Sequence, residues 1–153
     1  MLLSLLIGSI ALLISIAIQV VVVVLLLRHL LRIMSDFNRK KFGFDFDFYV
    51  ISVVMLSLFV GHVVQVSIWA GVFQYLGEFP DFPTAFYHSM VNFSSLGYGD
   101  MVMSERWRLL GAMEASNGVL MFGLSAGFTM AVLVPLFARF SPTDQQVKDL
   151  PRD

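Results

Sequence analysis

The residues with the most evident chemistry lie in the hexapeptide Ser95-Leu96-Gly97-Tyr98-Gly99-Asp100. Backbone carbonyl oxygens can replace the water around a metal cation when several in succession point the same way. In an ordinary strand they alternate in direction, and Gly97 and Gly99 let the chain break that alternation because glycine reaches positive φ at little cost. The Ser95 hydroxyl would add an oxygen ligand, and the Asp100 carboxylate would attract cations. The hexapeptide is therefore a candidate cation-binding loop.

A second group of residues fits nucleophilic chemistry. The segment Gly123-Leu124-Ser125-Ala126-Gly127 matches the serine-hydrolase elbow pattern, and His62 would be the base. That elbow requires a turn between a strand and a helix, whereas this segment lies inside a long apolar stretch. We keep an intramembrane serine peptidase only as a remote alternative.

Composition indicates that the solvent of this chain is lipid. Of its 153 residues 58% are hydrophobic and only 14% are charged, with no cysteine and a net charge of −1. A soluble domain of this size could not bury so much apolar surface. The absence of cysteine excludes disulfides and cysteine–zinc sites, and without a basic tract we expect no nucleic-acid partner.

Three apolar segments are long enough to span a bilayer, which takes about 20 residues. They cover Leu2–Leu27, Phe48–Leu76 and Leu109–Ala138. The first has no basic stretch before it and no cleavage site after it, so we expect a span rather than a cleaved signal peptide. The strongly polar side chains within the spans are Gln19, His62, Gln65, Glu114 and Asn117.

Basic residues predict the orientation of these spans. Positive charge concentrates between the first and second spans and after the third, which by the positive-inside rule makes both regions cytoplasmic. The N-terminus and the hexapeptide then face outward in a prokaryotic-type plasma membrane. The residues concerned are Arg28, Arg32, Arg39, Lys40, Lys41, Arg139, Lys148 and Arg152.

A short helix is predicted just before the hexapeptide. Asp81 precedes Phe82-Pro83-Thr84, an acid at the cap position followed by a proline in the first turn. A helix over 82–94 would reach only part-way through a bilayer. The chain must then return through lipid as irregular backbone, which is tolerated only where it is buried in protein or lines water. The pattern therefore predicts a pore.

The hexapeptide resembles Thr-Val-Gly-Tyr-Gly-Asp, the selectivity-filter signature of potassium channels. The segment Asp81-Phe82-Pro83-Thr84-Ala85-Phe86-Tyr87-His88-Ser89 resembles that family's pore-helix start. The resemblance implies K⁺ ions at Ser95, Leu96, Gly97 and Tyr98. It also implies a homotetramer, because one chain supplies one wall of the pore.

This resemblance covers residues 48–140 and predicts an all-α membrane protein with three transmembrane helices and a re-entrant pore loop. Residues 1–33 would be an additional N-terminal span, 34–47 a cytoplasmic linker and 141–153 a cytoplasmic tail. Within the pore domain we expect an outer helix at 48–77, a pore helix at 82–94, the filter at 95–100 and an inner helix at 108–139.

Three positions depart from the family pattern. Ser95 replaces threonine, Leu96 replaces a β-branched residue, and Val91 stands where many relatives carry a glutamate that braces the outer aspartate. We expect a filter that selects K⁺ but is less stable. The alternative is a weakly selective or non-selective cation channel.

The resemblance assigns supporting roles to side chains around the filter. Tyr98 would pack against Tyr87 or Trp107. Glu114, the one acid within a span, would back the filter through Asn92 or Ser94, or else lie near enough to the surface to be hydrated.

The third span carries the residues expected to take part in gating. Gly118 is a hinge or a packing contact, and Gly123 and Gly127 form a pair of small residues typical of close helix packing. Phe122 is expected to line the cavity below the filter, and Pro135 to kink the helix near its inner end.

Together these observations predict the pore-forming subunit of a passive potassium channel, not an enzyme, with K⁺ as permeant ion and no cofactor. The first span lacks the arginine ladder of a voltage sensor, so we expect no steep voltage gating. A subunit of a potassium uptake system is disfavoured because those chains hold four pore loops. Replacing Ser125 with alanine would abolish a peptidase and is expected to affect a channel little.

Overall fold

The computed structural model describes residues 1–36 and 44–138, and this part of the chain contains four α-helices and no strand. The helices are α1 (Leu2–Asp36), α2 (Phe44–Tyr75), α3 (Phe82–Phe93) and α4 (Arg108–Phe137). Of these, α1, α2 and α4 are long and apolar enough to cross a membrane. The predicted all-α fold with three candidate membrane spans is confirmed.

Helix boundaries differ from the predicted ones by a few residues. Residues 34–36 belong to α1 and 44–47 to α2, so both ends of the predicted linker are helical. Asp45 and Asp47 lie in the first turn of α2, where carboxylates interact favourably with the helix dipole. Residues 37–43, which include Arg39, Lys40 and Lys41, and residues 139–153 lie outside the described residues.

Helix α1 packs along its own chain against both α2 and α4. Near the N-terminus of α1, Ala11 joins a core with Trp69 and Leu110, and near its other end Leu26 and Leu30 join a second core. In lipid such contacts are stabilised by close packing more than by the hydrophobic effect. The additional span is therefore part of the core of the protomer.

Helix α3 is short and has a capped N-terminus. The Asp81 side chain accepts a hydrogen bond of 2.9 Å from the amide of Thr84, and Pro83 occupies the first turn. Ala85, Ser89 and Phe93, spaced four residues apart, are buried between α2 and α4. With 12 residues the helix is about 18 Å long and ends directly before the hexapeptide.

Candidate ion-binding loop and its supports

Every second residue of the hexapeptide adopts a left-handed backbone conformation. The φ angles are +58° at Ser95, +60° at Gly97 and +74° at Gly99. This alternation is the pattern that would turn successive carbonyl groups to the same side of the chain, in contrast to a strand. None of the five carbonyl oxygens of Ser95–Gly99 accepts a hydrogen bond within the described part of the chain. They are therefore available as ligands.

The amides of the same loop point back to α3. The amide of Ser95 donates to the carbonyl of Asn92 at 2.8 Å, and the amides of Leu96 and Gly97 donate to the carbonyl of Val91 at 3.0 and 3.4 Å. The first half of the loop thus satisfies its donors on the last turn of α3, whose carbonyls have no partner within the helix. In this half of the loop the amide donors are used internally and the carbonyl acceptors are left open, as a cation-binding loop requires.

The far end of the loop is held by a different contact. The hydroxyl of Tyr87 donates a hydrogen bond of 2.8 Å to Oδ2 of Asp100, and this bond raises the pKa of Tyr87. Asp100 is therefore paired with a tyrosine, whereas the apolar side chain of Val91 can offer it no hydrogen bond. The side chain of Tyr98 is 68% exposed and makes no ring-stacking contact in the described part of the chain, but it lies close enough to Tyr87 to contribute to the raised pKa of that residue.

Trp107 lies in the buried core beside Met103, with the Arg106 guanidinium 5.0 Å from the centre of its ring. It caps the start of α4. Its place in the protomer is therefore structural, at the junction between the loop and α4.

Glu114 is fully buried behind α3, so the hydrated alternative is wrong within the protomer. Its Oε1 contacts the hydroxyl of Ser89, which also lies 2.9 Å from the carbonyl oxygen of Val66. Of the two expected partners, Asn92 also lies in side-chain hydrogen-bonding reach of Glu114 while its amide pairs with His88 at 2.8 Å, whereas the hydroxyl of Ser94 donates to the carbonyl of Val91. Sequence reasoning missed Ser89, one turn earlier on α3.

Gly118 is a close packing contact in this structure. A Cβ atom at this position would overlap the carbonyl oxygen of Phe93, the last residue of α3. Gly123 and Gly127 are exposed, and a Cβ atom at either would meet no other element within 4 Å among the described residues, so this pair makes no close helix contact there. Pro135 lies in the last turn of α4.

A polar cluster joins the three long helices. Gln65 donates to Gln19 at 2.8 Å, Gln19 donates to Ser125 at 2.9 Å, and Ser125 lies 3.1 Å from Nε2 of His62. We call Gln19, His62, Gln65 and Ser125 the polar tetrad. His62 therefore has a hydrogen-bond partner on another helix, and no role had been predicted for Gln19 and Gln65 from the sequence. The sequence feature that could have indicated a role for Gln19 and Gln65 is their polarity within apolar spans, since such side chains tend to form hydrogen bonds between helices.

The tetrad brings together the serine and histidine of the peptidase alternative. Ser125 lies inside α4, where neighbouring amides are engaged in helical hydrogen bonds and cannot form an oxyanion hole. Nδ1 of His62 has no hydrogen-bond partner among the described residues, so no acid orients the ring. The arrangement is a helix contact and lacks the remaining parts of a hydrolase site.

Phe122 contacts this cluster as well. Its ring lies 4.9 Å from the ring of His62 and 5.6 Å from that of Phe93, and 41% of the side chain remains exposed. It therefore joins α2, α3 and α4 while still presenting surface outward.

Comparison with known proteins places the loop in a wider context. Residues 61–134, which run from the middle of α2 to the last part of α4, match the model of a family described as an ion channel. No curated protein and no solved structure matches the chain. The part of the chain that is similar to ion channels therefore contains the second half of α2, α3, the hexapeptide and most of α4, and it does not include α1.

Proposed function

We propose that this chain is the pore-forming subunit of a potassium-selective channel that conducts K⁺ passively. The observation that carries the proposal is the alternation of left-handed residues at Ser95, Gly97 and Gly99, together with carbonyl oxygens that accept no hydrogen bond. Such a row of oxygens can replace the hydration shell of K⁺. The ladder would comprise the carbonyls of Ser95, Leu96, Gly97 and Tyr98, with the Ser95 hydroxyl as the innermost ligand.

The proposed assembly is a homotetramer with cyclic symmetry. One protomer leaves the whole loop exposed, with Leu96 at 55% and Tyr98 at 68% exposure. One side of α4 is also exposed, including Val119, Leu120 and Leu124. Four copies around an axis would bring the loops together and give this face of α4 a partner.

The membrane orientation follows from charge. Arg28 and Arg32 lie near the end of α1, so the positive-inside rule assigns that end to the cytoplasm and the hexapeptide to the outer side. Asp100 would then attract cations at the outer mouth. Because α1 carries no series of regularly spaced arginines, the proposal includes no steep voltage dependence.

Two residues favour a second candidate, a weakly selective cation channel. Ser95 lacks the methyl group of threonine, and Leu96 lacks a branched Cβ, so both side chains restrict the backbone less than the family residues do. Both candidates share the pore and differ only in how well it rejects Na⁺.

The reversal potential of the purified protein in planar bilayers separates these candidates. With potassium chloride on one side and sodium chloride on the other, the proposal predicts reversal near the potassium limit. Clear currents that reverse near zero would establish the weakly selective channel instead. Absence of current from assembled tetramers, with hydrolysis of a transmembrane peptide that Ser125→Ala abolishes, would establish the peptidase.

A further inference from the structure

The polar tetrad links α1 to both α2 and α4 through buried side-chain hydrogen bonds. Gln19 and Gln65 are fully buried, and Ser125 is 7% exposed. Gln19 uses both ends of its amide, accepting from Gln65 on α2 and donating to Ser125 on α4. Because lipid offers no replacement partners, α1 cannot move away from α4 without leaving buried polar groups unpaired.

The tetrad continues to the inner end of the candidate filter. The His62 ring, which lies beside Ser125, packs 5.8 Å from the ring of Phe93. Phe93 is the last residue of α3, and its carbonyl lies against Gly118. The carbonyls of the two preceding residues, Val91 and Asn92, receive the amides at the start of the loop. A shift of His62 would therefore press on the turn that anchors the loop.

We propose that α1 is a positioning element for ion conduction: Gln19, acting through Ser125 and His62, holds Phe93 and thereby stabilises the conducting form of the loop. This inference rests on the proposed channel function. It assigns a regulatory role to the additional span, which lies outside the segment that is similar to ion channels.

The direct test compares single-channel records of the wild type and Gln19→Met, a substitution that keeps an unbranched side chain of similar size while removing both hydrogen bonds. We expect the mean open time to fall about threefold or more, since interhelical hydrogen bonds in membranes contribute roughly that factor each. Unitary conductance and the reversal potential should stay unchanged, because the ligands of the ion are unaltered.

The chain provides a matched control one turn away. Ser15 is as buried as Gln19, but its hydroxyl bonds only to the carbonyl of Ala11 within α1, at 3.0 Å. Ser15→Ala removes a buried polar group from the same helix without touching α4, and it should leave the open time at the wild-type value.

A double-mutant cycle distinguishes coupling from simple loosening of α1. If Gln19 acts through Ser125, then Ser125→Ala shortens openings, in contrast to the small effect on a channel expected from the sequence alone. Adding Gln19→Met to it then causes little further change. Ser125→Thr, which keeps the hydroxyl, should restore the open time. If the Gln19→Met protein does not assemble, the mean open time of Ser125→Ala is compared with that of Ser15→Ala instead. This comparison removes the same hydrogen bond from its partner on α4.

The outcomes are separable from those of the proposed function. A wild-type protein that assembles and conducts no K⁺ refutes both. Suppose that the wild type conducts but the mean open time of Gln19→Met equals that of Ser15→Ala, or the effects of the Gln19 and Ser125 substitutions on open time simply add. Either result refutes the positioning role alone and leaves the proposed channel function intact.

Discussion

The hydroxyl of Tyr87 and the carboxylate of Asp100 are joined by a hydrogen bond of 2.8 Å, which ties the outer end of the loop to the middle of α3. The inner end is tied to the same helix by the amides of Ser95 and Leu96. One short helix therefore holds both ends of the candidate filter. The tyrosine gives Asp100 a hydrogen-bond partner that Val91 could not provide.

Removing this tyrosine hydroxyl should destabilise the conducting loop. Tyr87→Phe keeps the ring and deletes the donor, so we expect the mean open time to fall by roughly threefold, as for loss of one ordinary hydrogen bond. Tyr75→Phe is the control, because Tyr75 is 90% exposed at the end of α2, remote in sequence from the loop. Equal open times in the two variants would show that the bond does not support the loop.

The same bond predicts a defined pH dependence. Donation to Asp100 raises the pKa of Tyr87 above its ordinary value of 10.0. Since only the protonated phenol donates, the stabilisation is fully present below pH 10 and is lost as the pH rises through the raised pKa. Titration of Tyr87 should therefore leave the mean open time unchanged between about pH 7 and 9. It should shorten the open time when the pH on the outer side is raised further. The part of the fall due to this bond should be absent in Tyr87→Phe, whereas a decline of the same size in both proteins would contradict the assignment.

The importance of the left-handed backbone at Gly97 can be tested by comparison with Gly77, a glycine of similar φ outside the loop. Gly97 and Gly77 have φ angles of +60° and +75°, and neither has an atom within 4 Å of where a Cβ would lie. Alanine at either site costs about 1–2 kcal/mol of backbone strain. We expect Gly97→Ala to abolish K⁺ current while Gly77→Ala, in the turn after α2, conducts normally. Currents of similar size from both variants would show that conduction does not depend on the left-handed backbone at Gly97.

The sequence predicted the three spans, the short capped helix and the loop because each depends on local pattern: apolar length, Asp81 with Pro83, and two closely spaced glycines. It did not predict the pairs Glu114–Ser89 and Gln19–Ser125, since these depend on how helices rotate against one another. Of the side chains that meet Glu114, the sequence predicted Asn92 but not Ser89, which lies one turn earlier on α3. The place of α1 beside its own α4 was likewise not encoded in any local pattern.

Gly118 tests whether α4 bends or packs at this position. Its contact with the carbonyl of Phe93 leaves no room for a methyl group, so Gly118→Ala should push α4 from α3 and lower the yield of assembled protein. Gly71→Ala is the control, because no atom lies within 4 Å of a Cβ there and alanine favours the helix. Thermal unfolding of both variants in detergent checks the difference. A Gly118→Ala protein with wild-type stability and altered open probability would support the hinge instead.

Glu114 and Ser89 should support the loop as a pair. The carboxyl group is fully buried between α3 and α4, and the Ser89 hydroxyl is its closest polar contact. Ser89→Ala removes the closest polar partner of this buried carboxyl and leaves it only Asn92, which typically destabilises a structure more than removal of an exposed contact does. We therefore expect shorter openings at unchanged conductance, and a similar effect from Glu114→Gln. Ser116→Ala is the matched control, since that exposed hydroxyl bonds only to the carbonyl of Ala112 in its own helix, at 3.0 Å. If Ser89→Ala and Glu114→Gln both keep the open times of this control, the buried acid plays no part in holding the filter, and its role is confined to packing α4 against α3.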